Sequence, residues 1–397
     1  MNRPLYARQP IFDANMNLVA YELLFRGAQV AGETATSKVL LAALDHDIFD
    51  VSQAAVPVFV NFPAQILFET PPFDPEKLVI EVLEDVEPTP ELVQQLRRLR
   101  ESGFRIALDD FELTADNDAL LSVADIVKID VLAVADLAKE INLLRGRVPH
   151  LLAEKVENHD TYRLCQELGA DYFQGYFFCR PEVVSGKVMA SNVGTVMRLL
   201  SALQDDAMTA NKLENIILED TTLTYRVLKL VNSAAYRRSA EVTSISSAVS
   251  MLGMRQLAAF VSLFVLGQSE HKSAELLSYT AMRGALCREM GALVPSMPGV
   301  ESCFTLGVLS CCDAHFDIPM AVLVDGLPVH EEMRLALVNR EGLLGAILNV
   351  AQLYQEGCWD KVENDQLNVL GLTREQLDEA YHAAQNWMQT HSGEITR

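Results

Sequence analysis

The chain has 397 residues, 50% of them hydrophobic, and a formal net charge of −22 from 32 basic and 54 acidic side chains. At roughly 100–200 residues per domain the length predicts two or three domains, and the apolar share excludes a disordered or collagen-like chain. Acidic residues outnumber basic ones in both halves. General nucleic-acid binding and a polybasic membrane anchor are therefore not expected, because both need clustered Lys and Arg.

The start of the chain, Met1-Asn2-Arg3-Pro4, lacks an apolar signal core, and the greasiest stretch, Leu257 to Leu266, is about half of a membrane span. Seven cysteines form no regular framework, which predicts free thiols in a reducing cytoplasm. Cys311 and Cys312 are adjacent, a spacing unsuited to clamping a metal and better suited to buried thiols.

From Val58 onward, short apolar β-type runs end in polar residues: Val58-Phe59-Val60 in Asn61, Leu78-Val79-Ile80 in Glu81, and Phe104 to Leu108 in Asp109-Asp110. Asp125-Ile126-Val127 leads to Lys128-Ile129-Asp130, Leu151-Leu152-Ala153 to Glu154, and Asp171-Tyr172-Phe173 to Gln174. Each intervening stretch is long enough for a helix and its loops, and Glu91 to Leu99 is a clear amphipathic helix. Near-continuous apolar strands alternating with helices predict a parallel sheet. This many units predicts a (β/α) barrel of the TIM type, an α/β fold with its chemistry at the C-terminal ends of the strands. Any one of the polar residues alone reads as a helix cap; six in succession point to a site.

After about Val188 the texture becomes helical. Leu213 to Leu218, Leu223 to Val231, Ile245 to Leu252, Glu331 to Leu337 and Glu375 to Gln389 all carry helical periodicity. Arg255 to Leu266 is nearly all apolar and predicts a buried central helix. The expected division is a barrel at 1–188 and an all-α bundle at 189–397, joined near Gly186 to Gly194.

Carboxylates gathered at one barrel mouth repel one another unless a cation lies between them, and oxygen ligands suit Mg²⁺ or Mn²⁺. Such ions activate water and neutralise phosphate charge. Lys128 could position a water or a phosphate, and Arg26 could make a bidentate phosphate contact.

These residues carry a family resemblance. The first half resembles the EAL domain, a (β/α)-barrel phosphodiesterase that hydrolyses the bacterial messenger cyclic di-GMP to linear pGpG. The family's opening Glu-Ala-Leu-Leu-Arg stands here as Glu22-Leu23-Leu24-Phe25-Arg26, and its Asn as Asn61. Glu81 and Glu84 match its Glu-x-x-Glu, Asp109-Asp110-Phe111 its Asp-Asp-Phe, and Lys128-Ile129-Asp130 its Lys-Ile-Asp. Ala153-Glu154-Lys155-Val156-Glu157 and Gln174-Gly175-Tyr176 complete the series in order. The resemblance implies that Glu22, Asn61, Glu81 and Asp109 ligate a first metal, that Asp110 ligates a second, and that Glu154 helps hold both. It also implies that Lys128, Glu157 and Gln174 serve the water and the metal shell, and that Arg26 binds substrate phosphate.

Two departures bear on activity. The family follows Asp-Asp-Phe with Gly and a glycine-containing loop that shapes the metal site and the dimer contact; here the segment is Glu112-Leu113-Thr114-Ala115-Asp116-Asn117-Asp118. Lys155 replaces a further glycine, and its cation either substitutes for metal charge or points to solvent. Weakened metal binding and slow or absent turnover are the expectation.

Leu213 to Leu266 includes Asp220 to Tyr236 and then Ile245-Ser246-Ser247-Ala248-Val249 and Leu252-Gly253. It resembles the HDOD domain, a helical relative of HD-type metal phosphohydrolases. The His-Asp pair of true HD hydrolases is missing where Gly307-Val308-Leu309 runs into Ser310-Cys311-Cys312, and His315 and Asp317 do not restore its spacing. Asn232 and Tyr236 are expected to cap or pack helix ends. An EAL–HDOD signalling protein is the resulting expectation: a barrel that binds cyclic di-GMP with Mg²⁺ or Mn²⁺ and hydrolyses it slowly, and a helical domain that relays the state to a protein partner. The alternative is a catalytically inactive interaction scaffold. EAL domains commonly pair, so the resemblance also implies a homodimer, although the altered loop belongs to that contact.

Overall fold

The computed structural model describes residues 6–25, 56–181 and 209–395, except 63, 65, 69, 112, 115–116, 219–220, 234–235, 237–241, 243, 268–271, 296, 298–299 and 326–328. The chain divides into two compact units, Met1–Phe178 and Cys179–Arg397.

The first unit is a closed eight-stranded barrel in chain order. Its strands are β1 (Tyr6–Asp13), β2 (Leu18–Phe25), β3 (Val58–Phe62), β4 (Leu78–Val82), β5 (Arg105–Leu108), β6 (Ile126–Asp130), β7 (His150–Glu154) and β8 (Tyr172–Gln174). The six runs expected from the sequence are β3 to β8, paired in parallel. The expectation of a parallel sheet needs one correction, because β1 is antiparallel to both β2 and β8. The cause is local. Asp13 Oδ1 accepts from the amides of Asn15 and Asn17 at 2.8 and 2.9 Å, and Met16 adopts a φ of 63°. This tight turn reverses the chain, whereas a parallel pair needs a long crossover.

Helices α1 (Pro90–Glu101), α2 (Asp118–Leu121), α3 (Leu137–Leu144) and α4 (His159–Leu168) lie in the later crossovers. Their limits follow from capping. The Thr89 side chain accepts from Leu92 N ahead of Pro90, and that of Asn158 accepts from Thr161 N; each such cap contributes about 1 kcal/mol. Leu92, Leu96 and Leu99 form the buried stripe of α1, the face that the amphipathic pattern predicts.

Strand alternation separates two apolar layers. Val60, Ile80, Ile106, Val127 and Leu151 pack in one cluster with helix residues Leu96 and Ile141. Ile11, Ala20, Phe59, Val79, Ala107, Ile126 and Leu152 form a second cluster, with Tyr172 against it. This second set fills the inside of the barrel, as side-chain layers do in this fold.

The second unit is helical throughout its described residues. Helices Ala210–Leu218, Thr221–Val231, Ile245–Leu252, Met254–Leu266, Glu331–Asn339 and Arg374–Ile395 contain the segments expected from periodicity. The helix expected over Arg255 to Leu266 is Met254–Leu266, with Leu257, Val261, Leu263 and Phe264 fully enclosed. No single helix among the described residues is long and apolar enough to cross a membrane.

Candidate metal centre

Every inner-layer residue named above on β2 to β8 is followed two positions later by a polar residue of the predicted series. Ala20 precedes Glu22, Phe59 precedes Asn61, Val79 precedes Glu81, and Ala107 precedes Asp109. Ile126 precedes Lys128, Leu152 precedes Glu154, and Tyr172 precedes Gln174. A two-residue step along a strand returns to the same face. The fold therefore lifts these side chains onto the floor of the barrel mouth, directly above its packed interior.

Lys128, 1% exposed, stands at their centre. Its Nζ is 2.8 Å from Asp109 Oδ1 and 3.3 Å from Glu22 Oε2, and it is also paired with Glu81 and Glu154. Gln174 Nε2 donates to Glu22 Oε2 at 2.5 Å. Burial works against the Lys128 ammonium, but Glu22, Glu81 and Asp109 overcome it and push its pKa well above the ordinary lysine value. Burial, with Glu22 beside it, pushes the Glu81 carboxyl well above the usual carboxylate range despite Lys128. One ammonium does not neutralise four carboxylates, and Glu81 answers by favouring its protonated form.

The same geometry suits a divalent cation. Glu22, Glu81 and Glu154 offer oxygens within 4.8 Å of one another, and so do Asp109, Asp110 and Glu154. Asn61 Oδ1 and Glu81 Oε2 are buried with no hydrogen-bond partner. Buried oxygens of this kind are costly unless something binds them, and an all-oxygen donor set matches Mg²⁺ or Mn²⁺.

Asp110 lies just beyond β5 with a φ of 39°. Lys155, at the position where the resemblance expects glycine, also has a left-handed φ, 55°. Of the two readings of Lys155, it forms ion pairs: its Nζ is 2.5 Å from Asp130 Oδ2 and 3.3 Å from Asp110 Oδ2. Burial would raise the Asp130 carboxyl, but the Lys155 ammonium and the amides of Leu132 and Ala133 more than offset it and hold it below its ordinary value. Asp130 belongs to this shell although its motif gave it no role. The one signal in the sequence was the lysine standing in a glycine position.

Other predicted residues do not meet at Lys128. Glu157 and Glu84 are exposed. Arg26 and Glu112 lie outside the described residues.

In the second unit, Asn232 Nδ2 donates to Leu228 O and Val242 O at 2.8 and 2.7 Å, and Asn232 Oδ1 accepts from Val242 N at 2.8 Å. Tyr236 OH lies 2.9 Å from His391 Nε2. Both residues thus pin helix ends. His315 is buried, with Nε2 2.9 Å from Thr280 Oγ1, and Asp317 pairs with Lys272 at 2.5 Å. Cys311 and Cys312 are buried free thiols, and burial pushes both pKa values up.

Two architectures are thus joined in one chain, a (β/α) barrel with an acidic mouth and a helical unit, and sequence comparison agrees. An EAL domain matches residues 29–181 and an HDOD domain matches residues 189–314. The chain belongs to the family of two-domain EAL–HDOD proteins. It is 31% identical over 398 residues to cyclic di-GMP phosphodiesterase CdgJ of Vibrio cholerae, covering 96% of this chain and 92% of the relative. It is 30% identical to the uncharacterized protein YuxH of Bacillus subtilis, covering 97% and 98%. A solved EAL domain protein from Listeria monocytogenes is 23% identical, with a TM-score of 0.38 over 44% of this chain and 87% of that one.

Proposed function

We propose that the barrel binds cyclic di-GMP together with Mg²⁺ or Mn²⁺ and hydrolyses it slowly to linear pGpG, while the HDOD domain relays the barrel's state to a protein partner. The observation that carries this reading is the convergence of Glu22, Glu81, Asp109 and Glu154 on Lys128, with the buried oxygens of Asn61 and Glu81 left unpartnered. The likeness to a relative named as a cyclic di-GMP phosphodiesterase supports the choice of nucleotide.

In this reading Glu22, Asn61, Glu81, Asp109, Asp110 and Glu154 hold the metal. When bound, it supplies positive charge for the phosphate and acidifies a water. Arg26 takes the substrate phosphate. Lys128 fixes the ligand carboxylates and orients the attacking water, with Gln174 completing the shell beside Glu22 and Glu157 serving the water from its exposed position. Water adds to phosphorus, one P–O ester bond breaks, and the leaving oxygen takes a proton.

A second reading, binding without turnover, is favoured by the contact of Lys155 with Asp110, which engages a carboxylate that the first reading gives to metal. The test is incubation of the purified full chain with cyclic di-GMP and either Mg²⁺ or Mn²⁺. Release of pGpG, lost in Glu22→Ala, supports hydrolysis. Calorimetric binding with no product supports the second reading. Neither binding nor product leaves an interaction scaffold.

A further inference from the structure

Two acidic groups share Glu154 at the barrel mouth, Glu22–Glu81–Glu154 and Asp109–Asp110–Glu154, and they differ in what already serves them. Lys128 serves both, pairing with Glu22, Glu81 and Glu154 of the first and with Asp109 and Glu154 of the second, yet the first keeps a fully buried Glu81 oxygen without a partner, and Asn61 adds a second buried and unpartnered oxygen beside it. The second group has a further cation of the protein's own at its edge. Lys155 Nζ lies 3.3 and 3.5 Å from the two carboxylate oxygens of Asp110.

That ammonium is held in place. Asp130 Oδ1 accepts from the amides of Leu132 and Ala133 at 2.8 and 3.2 Å, which fixes the carboxylate. Its other oxygen holds Lys155 Nζ at 2.5 Å. The backbone also contributes, since both Asp110 and Lys155 take a positive φ that side chains other than glycine rarely adopt. The strained conformation of each residue accompanies the contact between them. A divalent ion at Asp110 would have to share that carboxylate with an ammonium and accept its repulsion.

We propose that Lys155 is a built-in cation that takes the place of a divalent ion at the Asp109–Asp110–Glu154 group, so that this barrel loads one metal ion, at Glu22–Glu81–Glu154 beside Asn61. The proposal rests on the metal-binding reading above and revises it at one residue, giving Asp110 to Lys155 instead of to metal and so setting the number of ions that the site accepts. Lys155 is then a positioning residue that acts through Asp110 and Asp130.

The experiment is a titration of the metal-stripped full chain with Mn²⁺, free ion being counted by electron paramagnetic resonance with no nucleotide added. The proteins are the wild type, Lys155→Gly and Lys155→Met. Glycine relieves the positive φ and methionine keeps it, so a gain shared by both variants reports the charge. Expected are one ion per wild-type chain and two in each variant, with a spin-coupled Mn–Mn signal in the variants only. Two ions in the wild type, one ion in all three proteins, or a gain in Lys155→Gly alone would each overturn the proposal while leaving the metal site standing. No bound ion in any of the three would overturn this proposal and the metal-binding reading together.

Discussion

Asn61 on β3 and Glu81 on β4 are register partners in the parallel ladder, and each carries a buried side-chain oxygen without a hydrogen-bond partner. Burial and the neighbouring Glu22 already push Glu81 toward its protonated form. Glu81→Gln removes the charge and keeps the shape. In the presence of a chelator, the variant should be about 1–3 kcal/mol more stable than the wild type near neutral pH, because a carboxyl whose pKa is raised on folding costs stability there and glutamine does not titrate. Its Mn²⁺ affinity should fall at least about tenfold. Thermal unfolding with and without Mn²⁺ reads both effects, and a variant destabilised without metal would contradict this account.

Lys128 has the opposite sign. Among the described residues it is the one cation paired with Glu22, Glu81, Asp109 and Glu154, so Lys128→Met leaves them uncompensated. A loss of about 3–5 kcal/mol in metal-free stability is expected, partly recovered by Mn²⁺. Urea unfolding of the two proteins with and without metal makes the comparison.

Gly175 follows β8 with a φ of 144°. A Cβ there would lie 2.2 Å from Val156 O and 2.5 Å from Val156 N, and backbone atoms cannot swing aside as a flexible side chain can. Gly175→Ala should cost about 2–4 kcal/mol. It should also weaken Mn²⁺ binding, because the displaced backbone joins Gln174 to the loop that carries Lys155. Chemical denaturation and Mn²⁺ titration of the same preparation test the two parts.

His315 makes the second unit sensitive to acid. Thr280 Oγ1 donates to Leu276 O at 2.7 Å, so His315 Nε2 must carry the proton it gives to Thr280, which leaves the buried Nδ1 bare. Burial, and then Lys272, push its pKa down to about 3 from the ordinary 6.5. The folded form binds fewer protons than the unfolded chain between those values. Its contribution is therefore complete above about pH 6.5 and declines as the pH falls toward 3. At pH 5 the loss should be about 2 kcal/mol relative to neutral pH. Urea midpoints at the two pH values should converge in His315→Gln; an unchanged gap would assign the acid sensitivity elsewhere.

Six of the eight strands were legible because a buried parallel strand is an uninterrupted apolar run, and Val79, Ala107 and Leu152 each sit two places before a site residue. The antiparallel β1–β2 hairpin lies outside that pattern, and its turn depends on Met16 at a positive φ and on Asp13 side-chain bonds to Asn15 and Asn17. Helical periodicity located the Ile245–Leu252 helix to the residue. Its end at Gly253, with a φ of 80°, is a signal that sequence carries directly.

The sequence by itself determined the barrel, the helical unit and the order of polar residues at the strand ends, because strand and helix periods are written within a few consecutive residues. Only the tertiary structure decided that Lys128 gathers Glu22, Glu81, Asp109 and Glu154, that Glu157 stays exposed, and that Lys155 joins Asp110 to Asp130. Those pairings link segments far apart in the chain. They depend on the closure of the barrel and on the sign of two backbone angles, and neither is encoded in local hydrophobic spacing.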